Sequence, residues 1–176
     1  DHVGGTAALM RDSPVVIASD YLPDRLDSYK MLAQHRARIS AQQFNLPEDP
    51  ERFAGSLQRV VYPTETFIGT RTISLGNRTF ELRTARAETD DVCWVWIPEL
   101  KAAFIGDLVI GVFPNIGNPW KPTRFALDWA RTLEDVLAKE PEWLFCNGAG
   151  LVYQGQEALD ILRVNIEVIR SLHDQV

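Results

Sequence analysis

Residues Val92–Asp107 read VCWVWIPELKAAFIGD, and their pattern decides the fold class. Val92-Cys-Trp-Val-Trp-Ile97 is rich in β-branched and aromatic side chains, which suit a pleated, half-buried surface, and it predicts a strong strand. Pro98-Glu99 ends that strand, because proline has no N–H to give to a ladder. Lys101-Ala-Ala-Phe-Ile105 predicts its antiparallel partner, which runs into the turn Gly106-Asp107.

Working outward, Thr70-Arg-Thr-Ile-Ser-Leu75 and Thr79-Phe-Glu-Leu82 alternate on either side of Gly76-Asn77, the pattern of a hairpin. Downstream, a Gly/Pro/Asn-rich loop from Gly111 to Pro122 leads into a helix from about Thr123 to Lys139. Trp143-Leu-Phe-Cys146 is a last short strand, and Asn147-Gly-Ala-Gly150 turns toward a helix from about Gln156 to His173. Near the start, Thr6 to Arg11 is a helical stretch of small residues and Pro14-Val-Val-Ile-Ala18 a short buried strand. Leu26, Tyr29, Leu32, Ala33, Ala37 and Phe44 keep rough helical spacing, so a helix is expected from about Leu26 to Phe44. Asn45 to Gly55, with Pro47, Glu48, Asp49 and Pro50, is a polar excursion and a candidate lid. Strands come early, helices are interleaved, and no repeat or linker appears, so a single mixed α/β domain spanning 1–176 is expected.

The chain has 176 residues, 45% hydrophobic and 24% charged, which is the balance of a globular domain with a sizeable core. Its apolar runs, such as Val15-Val16-Ile17-Ala18, fall short of the ~20 residues of a membrane-spanning helix. The net charge of −6, with no long basic tract, argues against nucleic acid and anionic membrane as partners. The two cysteines, Cys93 and Cys146, read as free buried thiols of a reducing compartment or as one bridge; neither belongs to a CxxC pair. The sequence opens on Asp1-His2 with no charged and apolar leader, which favours a cytoplasmic location and reads as an internal piece of a longer chain.

Three carboxylate-bearing loops follow strands or begin the chain: Asp1-His2, Glu88-Thr-Asp-Asp91 and Gly106-Asp107. Taken singly they read as a terminus, a solvated acidic turn and a surface turn. Asp107 nevertheless ends a strongly apolar strand, where an ionised carboxylate is costly unless it is exposed, paired or on a metal.

As an ordered set they resemble a known pattern. Asp1-His2-Val-Gly-Gly5 resembles the back half of the His-x-His-x-Asp-His-x-Gly-Gly loop of the metallo-β-lactamase fold superfamily, and Gly106-Asp107-Leu resembles its bridging-aspartate turn. Glu88, ten residues before Pro98, stands where the alkyl sulfatases of that superfamily carry a glutamate in place of a histidine. Arg124-Phe-Ala-Leu-Asp-Trp129 and the closing His173-Asp-Gln175 also resemble that branch. The resemblance implies an αβ/βα sandwich, here lacking its N-terminal strands, and one or two divalent ions, zinc first with manganese or iron as alternatives. It implies Asp1 and His2 on the second ion, Glu88 on the first and Asp107 bridging them. Asp1 would also orient or deprotonate the attacking water, and Asn118 and Arg124 would grip a sulfate or other anionic head group. Ions so held bring the pKa of a bound water to about 7.

That site would make the complete protein a metal-dependent hydrolase of a small-molecule sulfate or other ester, in a family whose members are often dimers. The family's late metal histidine should fall at Asn147-Gly148-Ala149-Gly150, where Ala149 cannot coordinate. The alternative is therefore a non-catalytic relative acting as a partner subunit or binding module. A thiol enzyme using Cys146 is a weaker third reading, because no histidine neighbours it in sequence. His35 reads as a solvated helix residue and His173 as a structural hydrogen-bonder. Trp94, Trp96, Trp120 and Trp129 read as core residues or as the lining of an apolar slot for an alkyl tail.

Overall fold

The computed structural model of the chain describes residues 2–47, 49, 51, 55, 60–112, 115–117, 124–147 and 151–175. The chain divides into two compact units, Asp1–Thr66 and Phe67–Val176. Among the described residues no helix is long and apolar enough to cross a membrane.

In the first unit a 3-10 turn at Thr6–Leu9 precedes strand β1 (Ile17–Ser19) and helices α1 (Leu22–Met31) and α2 (Ala33–Phe44); strand β2 (Glu65–Phe67) closes it, its last residue being the first of the second unit. β1 and β2 make a two-stranded sheet. Two helices therefore replace the single one expected from Leu26 to Phe44. Leu32 leaves the helical region at φ −100°, ψ 18°, and α2 restarts directly after it. Pro23 lies in the first turn of α1, a position that spares it the N–H it lacks. Ala18, Leu22 and Leu26 form one small buried cluster, Tyr29 and Ala33 another. His35 is exposed on α2, as a solvated helix residue should be. Of the polar excursion, residues 48, 50 and 52–54 lie outside the described set, and with them the reading of a lid.

The second unit holds strands β3 (Thr70–Leu75), β4 (Arg78–Ala85), β5 (Val92–Ile97) and β6 (Ala102–Gly106), helix α3 (Ala126–Leu137), strands β7 (Trp143–Cys146) and β8 (Val152–Gln154), and helix α4 (Gln156–Asp174). They build one six-stranded sheet in the order β3-β4-β5-β6-β7-β8. Neighbours are antiparallel except β6 and β7, which run parallel and are joined through α3. A parallel pair needs such a crossover, and a helix is its usual form.

The period of two along the strands sets the core. Trp94 and Trp96 of β5, Ala103 and Ile105 of β6 and Leu144 of β7 turn to one face, where they pack with Trp129, Leu133 and Val136 of α3 and Leu162, Ile166 and Ile169 of α4. Arg170 of α4 ties the helices together, its Nε and Nη2 donating to the two carboxylate oxygens of Glu134 at 2.7 and 2.9 Å. Trp94, Trp96 and Trp129 are thus core residues, not the lining of an exposed slot, because the strand period and the stripe of α3 both aim them inward. Trp120 lies outside the described residues. The mixed α/β composition and the strand order from Thr70 to Cys146 match the sequence reading; β2 and β8, three residues each, are additions to it. Both cysteines are free thiols, but Cys93 is exposed, because it faces away from the side of β5 that carries Trp94 and Trp96.

Candidate functional site

The strand directions gather three polar side chains at one edge of the sheet. β4 and β6 are both antiparallel to β5 and so run the same way, and β7 runs with β6. Glu88 follows the end of β4, Asp107 follows β6 immediately, and Asn147 follows β7 immediately. All three lie beyond the C-terminal ends of their strands. In open α/β sheets that is the edge where ligands bind.

Backbone hydrogen bonds fix this edge. Gly106 pairs with Cys146 in the β6–β7 register, and the Asn147 N–H donates to the Gly106 carbonyl at 3.0 Å. Gly106 takes φ +51°, a conformation open to glycine without strain, and this turns Asp107 off the strand end. Beyond it the Leu108 N–H donates to the Ile105 carbonyl at 3.2 Å, and the buried Trp129 Nε1 donates to the Leu108 carbonyl at 3.1 Å. The loop carrying Glu88 is held the same way. The Ala87 N–H donates to Thr89 O at 2.8 Å, and the Phe125 N–H, just before α3, donates to Ala87 O at 3.0 Å.

The Glu88–Asp91 segment is therefore not a solvated acidic turn. Thr89 and Asp91 are buried, and Glu88 is half-buried. The Arg124 guanidinium forms an ion pair with the Glu88 carboxylate, and its Nη1 also donates to the Glu88 main-chain carbonyl. The Arg124 side chain is only 7% exposed, so it meets Glu88 from within the protein. Asp107 is half-buried, and its Oδ1 accepts a hydrogen bond from Asn147 Nδ2.

The structure thus brings Arg124 to Glu88 and sets Asp107 beside Asn147. His2 is exposed and belongs to the first unit; Asp1, Asn118 and Ala149 lie outside the described residues. Asn147 went unnoticed in the sequence except as part of a turn. The signal for it was positional: it directly follows β7 as Asp107 directly follows β6. His173 is exposed near the end of α4. Burial pushes the Cys146 thiol up to about 12, which keeps it protonated near neutral pH and speaks against a thiol nucleophile.

Carboxylate oxygens suit a divalent cation, and ligating carboxylates are themselves held by hydrogen-bond donors, as Glu88 and Asp107 are here. Among the described residues no three His, Cys, Asp or Glu side chains gather around one point. Glu88 and Asp107 are oxygen donors of the kind a divalent cation takes, two of them and not a three-ligand group among the described residues.

The family model of the metallo-beta-lactamase superfamily matches residues 1–148. A search of curated proteins finds no match. Among solved structures, the inverting sec-alkylsulfatase Pisa1 from Pseudomonas sp. superposes with a TM-score of 0.78 at 15% identity, over 99% of this chain and 32% of that one. A metallo-beta-lactamase from Pontibacter korlensis gives 0.59 at 18% identity, over 97% of this chain and 64% of that one. A metallo-beta-lactamase family protein from Thermus thermophilus gives 0.65 at 16% identity, over 99% and 57%. At these identities the likeness is one of fold, and the chain spans about a third of the alkylsulfatase and under two-thirds of the other two.

Proposed function

This chain belongs to the metallo-beta-lactamase superfamily, and on that premise we propose that it is part of a metal-dependent hydrolase whose substrate is a small-molecule ester, a sulfate ester first. The observation that carries the reading is the placement of Glu88 and Asp107 beyond the C-terminal ends of strands that run the same way, each with a donor fixing its carboxylate. In this proposal the cofactor is one or two divalent ions, zinc being the first choice; Glu88 and Asp107 are ligands on the second unit, and the sequence pattern names Asp1 and His2 as ligands on the first. Ions of this kind supply a nucleophilic hydroxide near neutral pH. The chain's own part is to hold anionic oxygens in place at a sheet edge anchored by main-chain hydrogen bonds. Asp1 orients or accepts a proton from the attacking water, and Asn118 serves an anionic head group.

The fold likeness to an alkylsulfatase supports the choice of a sulfate ester as first substrate to try. The test joins two measurements on the full-length protein purified without chelator. Elemental analysis is expected to find about one or two zinc, manganese or iron per chain. Hydrolysis of a secondary alkyl sulfate is expected to fall at least about 100-fold in Asp107→Ala, since removing a ligand should cost no less than removing a ligand's own support. A protein that keeps its turnover after Asp107→Ala overturns the proposal.

A second reading, a non-catalytic relative acting as partner subunit or binding module, draws on the loop after β7. There the sequence offers Asn147-Gly-Ala-Gly150 and no imidazole, and Asn147 turns its amide to Asp107. A metal-free full-length protein that hydrolyses no ester would favour this reading.

A further inference from the structure

We propose that Arg124 and Asn147 are positioning residues for the two strand-end carboxylates, holding Glu88 and Asp107 in the orientation a divalent ion requires. The proposal rests on the metal-dependent reading above.

For Glu88 the argument is one of geometry and burial. Arg124 Nη1 donates to the main-chain carbonyl of Glu88, and the same guanidinium pairs with its carboxylate Oε1. A donor that bridges a residue's backbone and its side-chain tip fixes the torsions between them. Glutamate has three such torsions to lose, and without Arg124 the ion alone would have to offset the entropy of ordering them. Arg124 is suited to the task because it is itself fixed. Its side chain is 7% exposed, and the next residue, Phe125, donates its N–H to Ala87 O at 3.0 Å, one residue before Glu88. The expectation that Arg124 grips an anionic substrate fits this burial less well than a role behind Glu88.

Asp107 receives the neutral counterpart. Asn147 Nδ2 donates to its Oδ1, and the Asn147 main chain is pinned by its own N–H on Gly106 O, the residue before Asp107. Both supports have one construction: a side-chain donor to the carboxylate, and a main-chain hydrogen bond from the same or the next residue to the chain just before it. The donors come from separate elements, the approach to α3 and the end of β7, so each can be removed independently.

The test is zinc affinity, read by calorimetric titration of zinc chloride into the metal-depleted full-length protein. Arg124→Gln and Asn147→Ala are each expected to weaken binding by about 10–100-fold, the usual loss when an outer partner of a ligand is removed. Arg124→Lys, whose ammonium can still donate to both acceptors of Glu88, is expected to recover most of the loss. Arg170→Gln removes the ion pair with Glu134 between α3 and α4 and controls for general loosening; its zinc affinity should be unchanged. If Arg124→Gln does not fold, Asn147→Ala decides. Variants that bind zinc as tightly as the parent, or more tightly, overturn the proposal and leave the metal-dependent reading standing. A parent protein that binds no zinc overturns both.

Discussion

In the first unit the described buried apolar side chains are few: Ala18 with Leu22 and Leu26, Tyr29 with Ala33, and Ala37 outside both groups. Charged groups lie close around them. The Arg36 guanidinium stacks 3.4 Å from the centre of the Tyr29 ring, and Lys30 Nζ donates to the Tyr62 hydroxyl at 2.8 Å. In the second unit a continuous layer of tryptophan, leucine, isoleucine and valine fills the space between the sheet and the two helices. Glu88, Asp107, Arg124 and Asn147 stand on the second unit, the first two and the last beyond the C-terminal ends of its strands. That contrast shows what the strand ends offer the proposed site. Orienting a carboxylate takes a backbone that does not yield, and a sheet edge backed by a dense core supplies one.

The largest effect should come from opening that core. Leu133 of α3 is fully buried, and Leu133→Ala is expected to cost about 3–5 kcal/mol, from lost transfer free energy plus a cavity left inside the large packed cluster. All five tryptophans lie in the second unit, so fluorescence during urea unfolding reads it directly. Leu26→Ala in the first unit is expected to cost about 2 kcal/mol, because a small cluster with partly buried neighbours collapses more readily around the gap. Its loss is read by far-UV circular dichroism, to which α1 and α2 contribute. The contrast between the units breaks if Leu26→Ala costs as much as Leu133→Ala.

The same contrast governs what the sequence disclosed. The central strands were plain because Val92-Cys-Trp-Val-Trp-Ile97 and the alternating hairpin before it carry strong local signals that agree with burial. The break between α1 and α2 was not, since Leu32 is a good helix former and neither glycine nor proline marks the spot. β2 and β8 are three residues each, too short to show a period. At the site, Glu88, Asp107 and Arg124 stood out through motif resemblance, which gives residue types and order. The pairing of Arg124 with Glu88 joins positions 36 residues apart, and that of Asn147 with Asp107 joins positions 40 apart. The β6–β7 register brings Asn147 to Asp107, and the hydrogen bond from Phe125 N–H to Ala87 O brings Arg124 to Glu88.

The smallest effect sharpens the comparison on the electrostatic side. Glu81 of β4 accepts hydrogen bonds on Oε2 from Lys139 Nζ at 2.9 Å and Arg83 Nη2 at 3.3 Å, within the second unit. The Lys139 hydrogen bond is the main cause that holds its carboxyl below the usual value near 4.5, against a partial offset from burial. A carboxylate whose folded-state pKa is depressed adds stability that is present above its unfolded value and is lost as pH falls through the folded one. Glu81→Gln should therefore lower the urea midpoint at pH 7 and lose its effect as the buffer is taken below about pH 4. The group is partly exposed, with 24% of its side-chain surface in solvent, so the gap at pH 7 should stay under about 1 kcal/mol. A gap that persists unchanged at pH 3 would mean that the glutamine disturbs packing beside Trp96, over which Lys139 lies at 5.9 Å, and that charge contributes little to this side of the sheet.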